Sequence, residues 1–175
     1  FPAHAQTAPA GATDLDAVIV TGTRATDRTA LESTSPIDVL TAEDLRKAGV
    51  LNGELGSALQ ALLPSFNFPR QSNSGGADHV RAAQLRGLSP NQILVLVNGK
   101  RRHTSALVNT DSKIGKGTTP VDFNAIPVSA IKRIEVLRDG AGAQYGSDAV
   151  AGVINVILND APEGGAYEAS FGAHH

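Results

Sequence analysis

The sequence predicts a single domain of mixed α and β structure, with short helices laid against a sheet. Three observations point there. The run ILVLV, Ile93 to Val97, is apolar enough to be buried on both faces and marks a sheet centre. Leu55, Leu59, Leu62 and Leu63 recur at helical spacing, so one helix carries an apolar face that needs a sheet to cover it. Between such runs stand long polar stretches rich in Gly, Ser and Asn. A chain of 175 residues suits one domain with a moderate core.

Residues 1–15 read as a tail. FPAHAQ carries the small-x-small pattern Ala3-His4-Ala5 at which a secretory signal is cut, so Phe1 to Ala5 are expected to be a signal-peptide remnant, the alternative being an ordinary Ala-rich terminus. QTAPAGATDL is too small and polar to join a core. DAVIVTGTR, Asp16 to Arg24, is a β-branched run ending at Gly22 and reads as a short strand. SPIDVLT places a strand at Ile37 to Leu40, running into a helix that Thr41 and Asp44 cap and Gly49 stops. A second helix, NGELGSALQALLPSF, is closed by Pro64. Phe66 to Asp78 reads as a polar loop. HVRAAQLRG and QILVLVNGK read as two strands joined by LSPN, with Asn98-Gly99 as a turn. Arg101 to Asp122 reads as a second long loop, of a length that implies function or disorder. Pro127 opens a helical turn leading into the strand RIEVLRD, and GVINVIL is the last long strand. YEASFGA alternates at strand period, and His174 and His175 at the end read as a tag remnant.

Composition excludes several function classes. The formal charge is −2, from 15 basic and 17 acidic residues, and their scatter argues against nucleic acid as a partner. With no cysteine, disulfide frameworks and thiol chemistry are out. No apolar run reaches the roughly 20 residues of a membrane-spanning helix. Gly140, Gly142 and Gly146 resemble a dinucleotide turn, but the third glycine comes one residue late and the run leads into a strand. Neither Gly115-Lys116-Gly117 nor Gly99-Lys100 completes a phosphate loop. His4, His79 and His103 lack ligand spacing, so no metal site and no cofactor are expected. Without a G-x-S-x-G or a paired carboxylate set, the chain does not read as an enzyme. The charged residues Arg81, Arg86, Arg133, Glu135 and Arg138 lie in otherwise apolar runs, which places them either on a solvated sheet side or against a complementary protein surface.

Read in order, Arg86-Gly87, Leu94 to Gly99, Ile126-Pro127, Arg133 to Val136, Tyr145-Gly146 and Gly152 to Asn155 resemble the plug domain of a TonB-dependent outer-membrane receptor. LLPSFNF resembles the family's L-x-x-L-P-G-V element with Ser65 in place of its glycine. The resemblance implies an α+β plug with a small mixed β-sheet, short helices and long apical loops over residues 22–160. Such a plug sits inside a 22-stranded barrel, of which residues 161–175 hold the start. It also implies a scaffold role for Arg86, Gly87, Arg133, Glu135, Arg138, Tyr145, Gly146 and Asn155.

The resemblance further implies function at two places. Asp16, Ala17, Val18, Ile19, Val20 and Thr21 resemble a TonB box, a strand on a leash that pairs with the TonB C-terminal domain; the alternative is that they form the plug's own first strand. The loops offer Arg70, Arg101, Arg102 and His103 to an anionic ligand such as a ferric siderophore, with Asn109 and Ser112 as hydrogen-bonding groups. Expected, then, is the plug of a transporter in a Gram-negative outer membrane, its N-terminus in the periplasm. Receptors for cobalamin or carbohydrate are alternatives for the substrate, and a stand-alone periplasmic binding or signalling module for the function. Separated from a barrel, exposed strand edges predict a homodimer or strand exchange.

Overall fold

The structure, a computed structural model, describes residue 21 and residues 36–48, 54–71, 78–110, 114–139 and 141–160. The expected strand at Asp16 to Arg24 apart from Thr21, the Gly49 stop, Ser112 and YEASFGA lie outside the described residues.

Five strands form a mixed sheet in the order β1-β6-β7-β4-β5: β1 Ile37–Thr41, β4 Ile93–Val97, β5 Lys100–Arg101, β6 Ile131–Leu137 and β7 Gly152–Leu158. All neighbours are antiparallel except β4 and β7, which run parallel with Leu96 opposite Asn155. The middle position belongs to β7, whereas the apolar run had pointed to β4. Both strands are buried on both faces. β4 is nonetheless only one strand from the edge, because Asn98 (φ 49°) and Gly99 (φ 75°) fold it back on the two-residue β5, as a two-residue hairpin turn requires.

Among the described residues, three helices cover the sheet. α1, Ala42–Lys47, starts in a capping box in which Thr41 Oγ1 accepts from the Asp44 N–H at 3.0 Å and Asp44 Oδ2 accepts from the Thr41 N–H at 3.0 Å. α2, Leu55–Leu62, buries Leu55, Ala58 and Leu59 completely, each leucine contributing about 1.5–3 kcal/mol of burial. These helices meet one face of the sheet, where Ile93, Val95, Ile134, Val136, Ile154 and Val156 form a single core with Phe66, Phe68 and Phe123. The opposite face carries a smaller cluster of Leu94, Leu96, Leu137 and Val153 under Ala141 and Ala149. Over it lies α3, Ala141–Tyr145, followed by a 3-10 turn at Ser147–Ala149. The residues between Gly140 and Gly146 therefore form a helical turn, and Tyr145 packs on this cluster.

Two other expectations are corrected. The strand read in HVRAAQLRG shrinks to β3, Gln84–Leu85, which pairs with β2, Phe66–Asn67, in a separate two-stranded sheet. It does not pair with β4, because a 3-10 turn at Pro90–Gln92 with its own capping box intervenes. The loop predicted from Phe66 accordingly begins two residues later, with the Phe66 ring in the core edge-on to Phe123 at 5.6 Å. Among the described residues no helix is long and apolar enough to cross a membrane.

Candidate functional site

Strand alternation sends Ile134 and Val136 to the face that α1 and α2 cover and Glu135 to the other. Register sets Glu135 directly opposite Asn155 on β7. Both are wholly buried, as is Thr21 at 1 % exposure, and a buried carboxylate demands partners. Its two oxygens divide the work. Oε1 accepts from Arg133 Nε at 3.0 Å and pairs with Arg133 Nη2 at 2.8 Å. Oε2 accepts from the Thr21 N–H at 3.0 Å and from Thr21 Oγ1 at 2.6 Å. Asn155 Nδ2 then donates to Thr21 Oγ1 at 2.9 Å, while Asn155 Oδ1 accepts from the Gly99 N–H at 3.0 Å. Thr21 is thereby fixed to β6 and β7.

Arg86 and Arg138 also pair within the domain. Arg138 meets Asp38 of the neighbouring β1 at 2.7 Å, and Arg86 donates to the Arg138 carbonyl at 2.9 Å. Arg86 (φ 56°) and Gly87 (φ 72°) turn the chain after β3, and Gly146 holds φ 103° between α3 and the following 3-10 turn. Of the two places the sequence allowed for these charges, the observed partners lie inside this fold.

The two long loops touch: Gln71 Nε2 donates to the Ile114 carbonyl at 3.3 Å. At the base of the first, Arg81 is 8 % exposed and its guanidinium stacks 3.8 Å from the Phe68 ring centroid. It donates to the carbonyls of Phe68 and Pro69 and pairs with Glu54 at 2.9 Å. Glu54 also binds Arg70 at 2.8 Å and accepts from Ser57 Oγ at 2.8 Å. The Ser57 hydroxyl first, then the charges of Arg70 and Arg81, hold the Glu54 carboxyl below its ordinary pKa. Burial pulls the Arg81 guanidinium below its usual value, against the opposing pull of Glu54; it remains a cation throughout the ordinary pH range.

In the second loop, Arg101 is ion-paired with Asp148 and donates to the Tyr145 carbonyl at 2.6 Å. It clasps β5 to the turn after α3. Arg102 is half-buried and His103 exposed. Arg101 and Arg102, with Asn91, Thr104, Thr119 and Asp148, line a hollow of about 230 Å³ that Ile93, Leu94 and Val95 also line. Asn109, expected on an exposed loop, is 1 % exposed with both side-chain amide atoms unpaired. Its backbone accounts for this position, since its N–H donates to Thr118 and its carbonyl accepts from Gly117. The structure thus brings Arg101 and Arg102 together and holds Arg70 at Glu54. Sequence reading passed over Glu54 and Asp148, whose partners lie 27 and 47 residues away in the chain; no local spacing marks such pairs. Among the described residues no cluster of three or more His, Cys, Asp or Glu could hold a metal.

The TonB-dependent Receptor Plug Domain family model matches residues 29–153. The chain belongs to that family. It is 35 % identical over 127 residues to the ferric enterobactin receptor PirA of Pseudomonas aeruginosa, covering 73 % of this chain and 17 % of that protein. To the vitamin B12 transporter BtuB of Vibrio vulnificus it is 40 % identical over 102 residues, 58 % of this chain and 15 % of that protein. Among solved structures, the siderophore receptor PirA of Acinetobacter baumannii superposes with a TM-score of 0.54 at 34 % identity, over 75 % of this chain and 18 % of that one. A ferric enterobactin receptor variant of Pseudomonas aeruginosa in complex with enterobactin gives 0.55 at 29 % identity, over 74 % and 18 %. The chain spans less than a fifth of the length of these relatives.

Proposed function

We propose that this chain is the plug of an outer-membrane active transporter, gating a 22-stranded barrel and coupling substrate binding to import driven by TonB. The observation that carries the reading is the burial of Thr21 between Glu135 and Asn155. A segment that a periplasmic partner is to pull needs a root in the plug's sheet, and Thr21 supplies it for Asp16 to Val20. β-branched residues suit that segment because an added strand is recognised chiefly through its backbone.

A ferric siderophore is the substrate favoured by the names of the siderophore receptors this chain resembles. In this reading Arg102 and Arg70 offer guanidinium groups and His103 an exposed imidazole to an anionic chelate, while Arg101 is held by Asp148. Cobalamin is a second reading, favoured by the 40 % identity to a vitamin B12 transporter.

Calorimetric titration of a TonB C-terminal domain into the chain and into an Ile19→Pro variant tests the coupling. Proline removes a strand-pairing N–H, so the parent is expected to bind and the variant to lose binding. Equal binding by both would place the coupling element elsewhere.

A further inference from the structure

The hollow beside β4 exists because β5 is short. Only Leu96 and Val97 of β4 pair with β5, so the edge of β4 from Ile93 to Val95 is left to residues beyond the hairpin. The Arg102 N–H donates to the Val95 carbonyl at 2.9 Å. That bond fixes the Arg102 backbone at the open edge, and its side chain lines the hollow.

The polar groups of this lining are either already engaged or able to donate. Asp148 is the acid among the described lining residues, and Arg101 holds it. Asn91 Oδ1 accepts from the Thr119 N–H at 3.2 Å, which leaves Asn91 Nδ2 as a donor. The hydroxyls of Thr104 and Thr119 can donate as well. Among the described residues the half-buried guanidinium of Arg102 meets no acceptor. Two guanidinium groups against one carboxylate leave one positive charge over. A cation drawn partly out of water needs a counterion, and a guanidinium fork matches a carboxylate in shape and charge. Ile93, Val95 and Val121 add apolar surface to the same lining. At about 230 Å³ the hollow is smaller than the roughly 300–1,000 Å³ of sites that enclose a drug-sized ligand, which limits it to a molecule of a few carbons.

We infer that this hollow is a binding site for a small monocarboxylate, its charged end on Arg102 and its hydrocarbon end against Ile93, Val95 and Val121. Arg101 is a positioning residue there: by occupying Asp148 it keeps that carboxylate from Arg102. The inference does not rest on the transport reading, since a hollow of this size is too small to enclose a ferric chelate.

Titration of the isotope-labelled 175-residue chain with sodium butyrate, at neutral pH and constant ionic strength and read by NMR, tests the site. The Val95, Arg102 and Thr119 amides are expected to shift saturably, with a dissociation constant in the millimolar range because so small a ligand makes few contacts. Butyramide, of the same shape without the charge, does not saturate them. Arg102→Gln weakens butyrate by about tenfold or more, as loss of a hydrogen bond to a charged group does, and Arg102→Lys restores part of the binding. Lys47→Gln, which removes the same charge from α1, binds as the parent does. Arg101→Gln also weakens butyrate, because Asp148 then competes for Arg102, and adding Asp148→Asn to it restores binding.

No saturation by butyrate, equal binding of butyramide, or unchanged binding by Arg102→Gln overturns the site. An equal loss in Lys47→Gln and Arg102→Gln assigns the effect to net charge and overturns it too. Should Arg102→Gln disturb the amides of β6 and β7, the loss in Arg101→Gln and its rescue by Asp148→Asn decide.

Discussion

At the scale of single residues, the charges of this fold act mainly on one another. Arg101 lies in a basic run, Lys100 to His103, yet Asp148 and a backbone carbonyl hold its guanidinium. Arg81, in a loop, is more buried than Arg133 in a strand. Such pairings depend on which loops meet, and neighbouring residues do not reveal them. The glycine at the start of β7 is a backbone requirement that the motif hid. Gly152 has φ 144°, and a Cβ there would stand 2.7 Å from the Leu137 carbonyl oxygen and from Leu85 Cδ2. Gly152→Ala is therefore expected to lower stability by roughly 2–4 kcal/mol through overpacking and backbone strain. Urea denaturation would show a lower midpoint with an unchanged slope; an unchanged midpoint would mean that β7 can shift to make room.

At the scale of elements, local propensity and packing disagree in α2. Gly56 sits in the helix, and exchange for alanine favours a helix by about 1 kcal/mol. A Cβ at that position, however, would lie 2.3 Å from the Phe68 ring, in a cluster where Phe68 also meets Phe123 at 6.1 Å and carries Arg81 on its face. Overpacking of this kind costs roughly 1–3 kcal/mol, and the ring is held on both sides. Gly56→Ala should thus destabilise the domain, and a raised thermal midpoint would show that the ring moves freely. The same contest explains the elements that sequence reading got wrong. β3 is short because Arg86 and Gly87 turn the chain away, and α3 forms because Ala141 and Tyr145 have an apolar cluster to cover. Periodicity in a five-residue segment is too brief to register either fact.

At the scale of the whole molecule, one sheet separates two unequal layers, and its acid stability depends on carboxylates at the margins. Glu54 and Asp44 both have folded pKa values lowered below their ordinary ones, Glu54 by Ser57 and the two arginines, Asp44 by the Thr41 N–H and hydroxyl. A carboxyl whose pKa is depressed on folding contributes fully above its unfolded value, and that contribution is lost as pH falls through the folded one. Stability should accordingly be level around neutrality and fall from about pH 4.5 downward. Glu54→Gln and Asp44→Asn together should flatten that fall in denaturation measured from pH 7 to pH 3. An equally steep fall in the double variant would assign it to other carboxylates.

The sequence by itself determined the family, the α1 cap at Thr41 and Asp44, α2, the Asn98-Gly99 turn and the strands β1, β4, β6 and β7. Each of these elements is written locally, as a period, a cap or a turn residue within a dozen positions, and the family is written as the order of several such motifs along the chain. Tertiary structure alone decided that β7 takes the middle of the sheet and runs parallel to β4, that Asn109 is buried, and that Thr21, Glu135 and Asn155 meet. Thr21 stands 114 residues from Glu135 and shares no period with it. Their meeting follows from strand register, which sets Glu135 opposite Asn155, and from the demand of a buried carboxylate for donors that its own strand cannot fully supply.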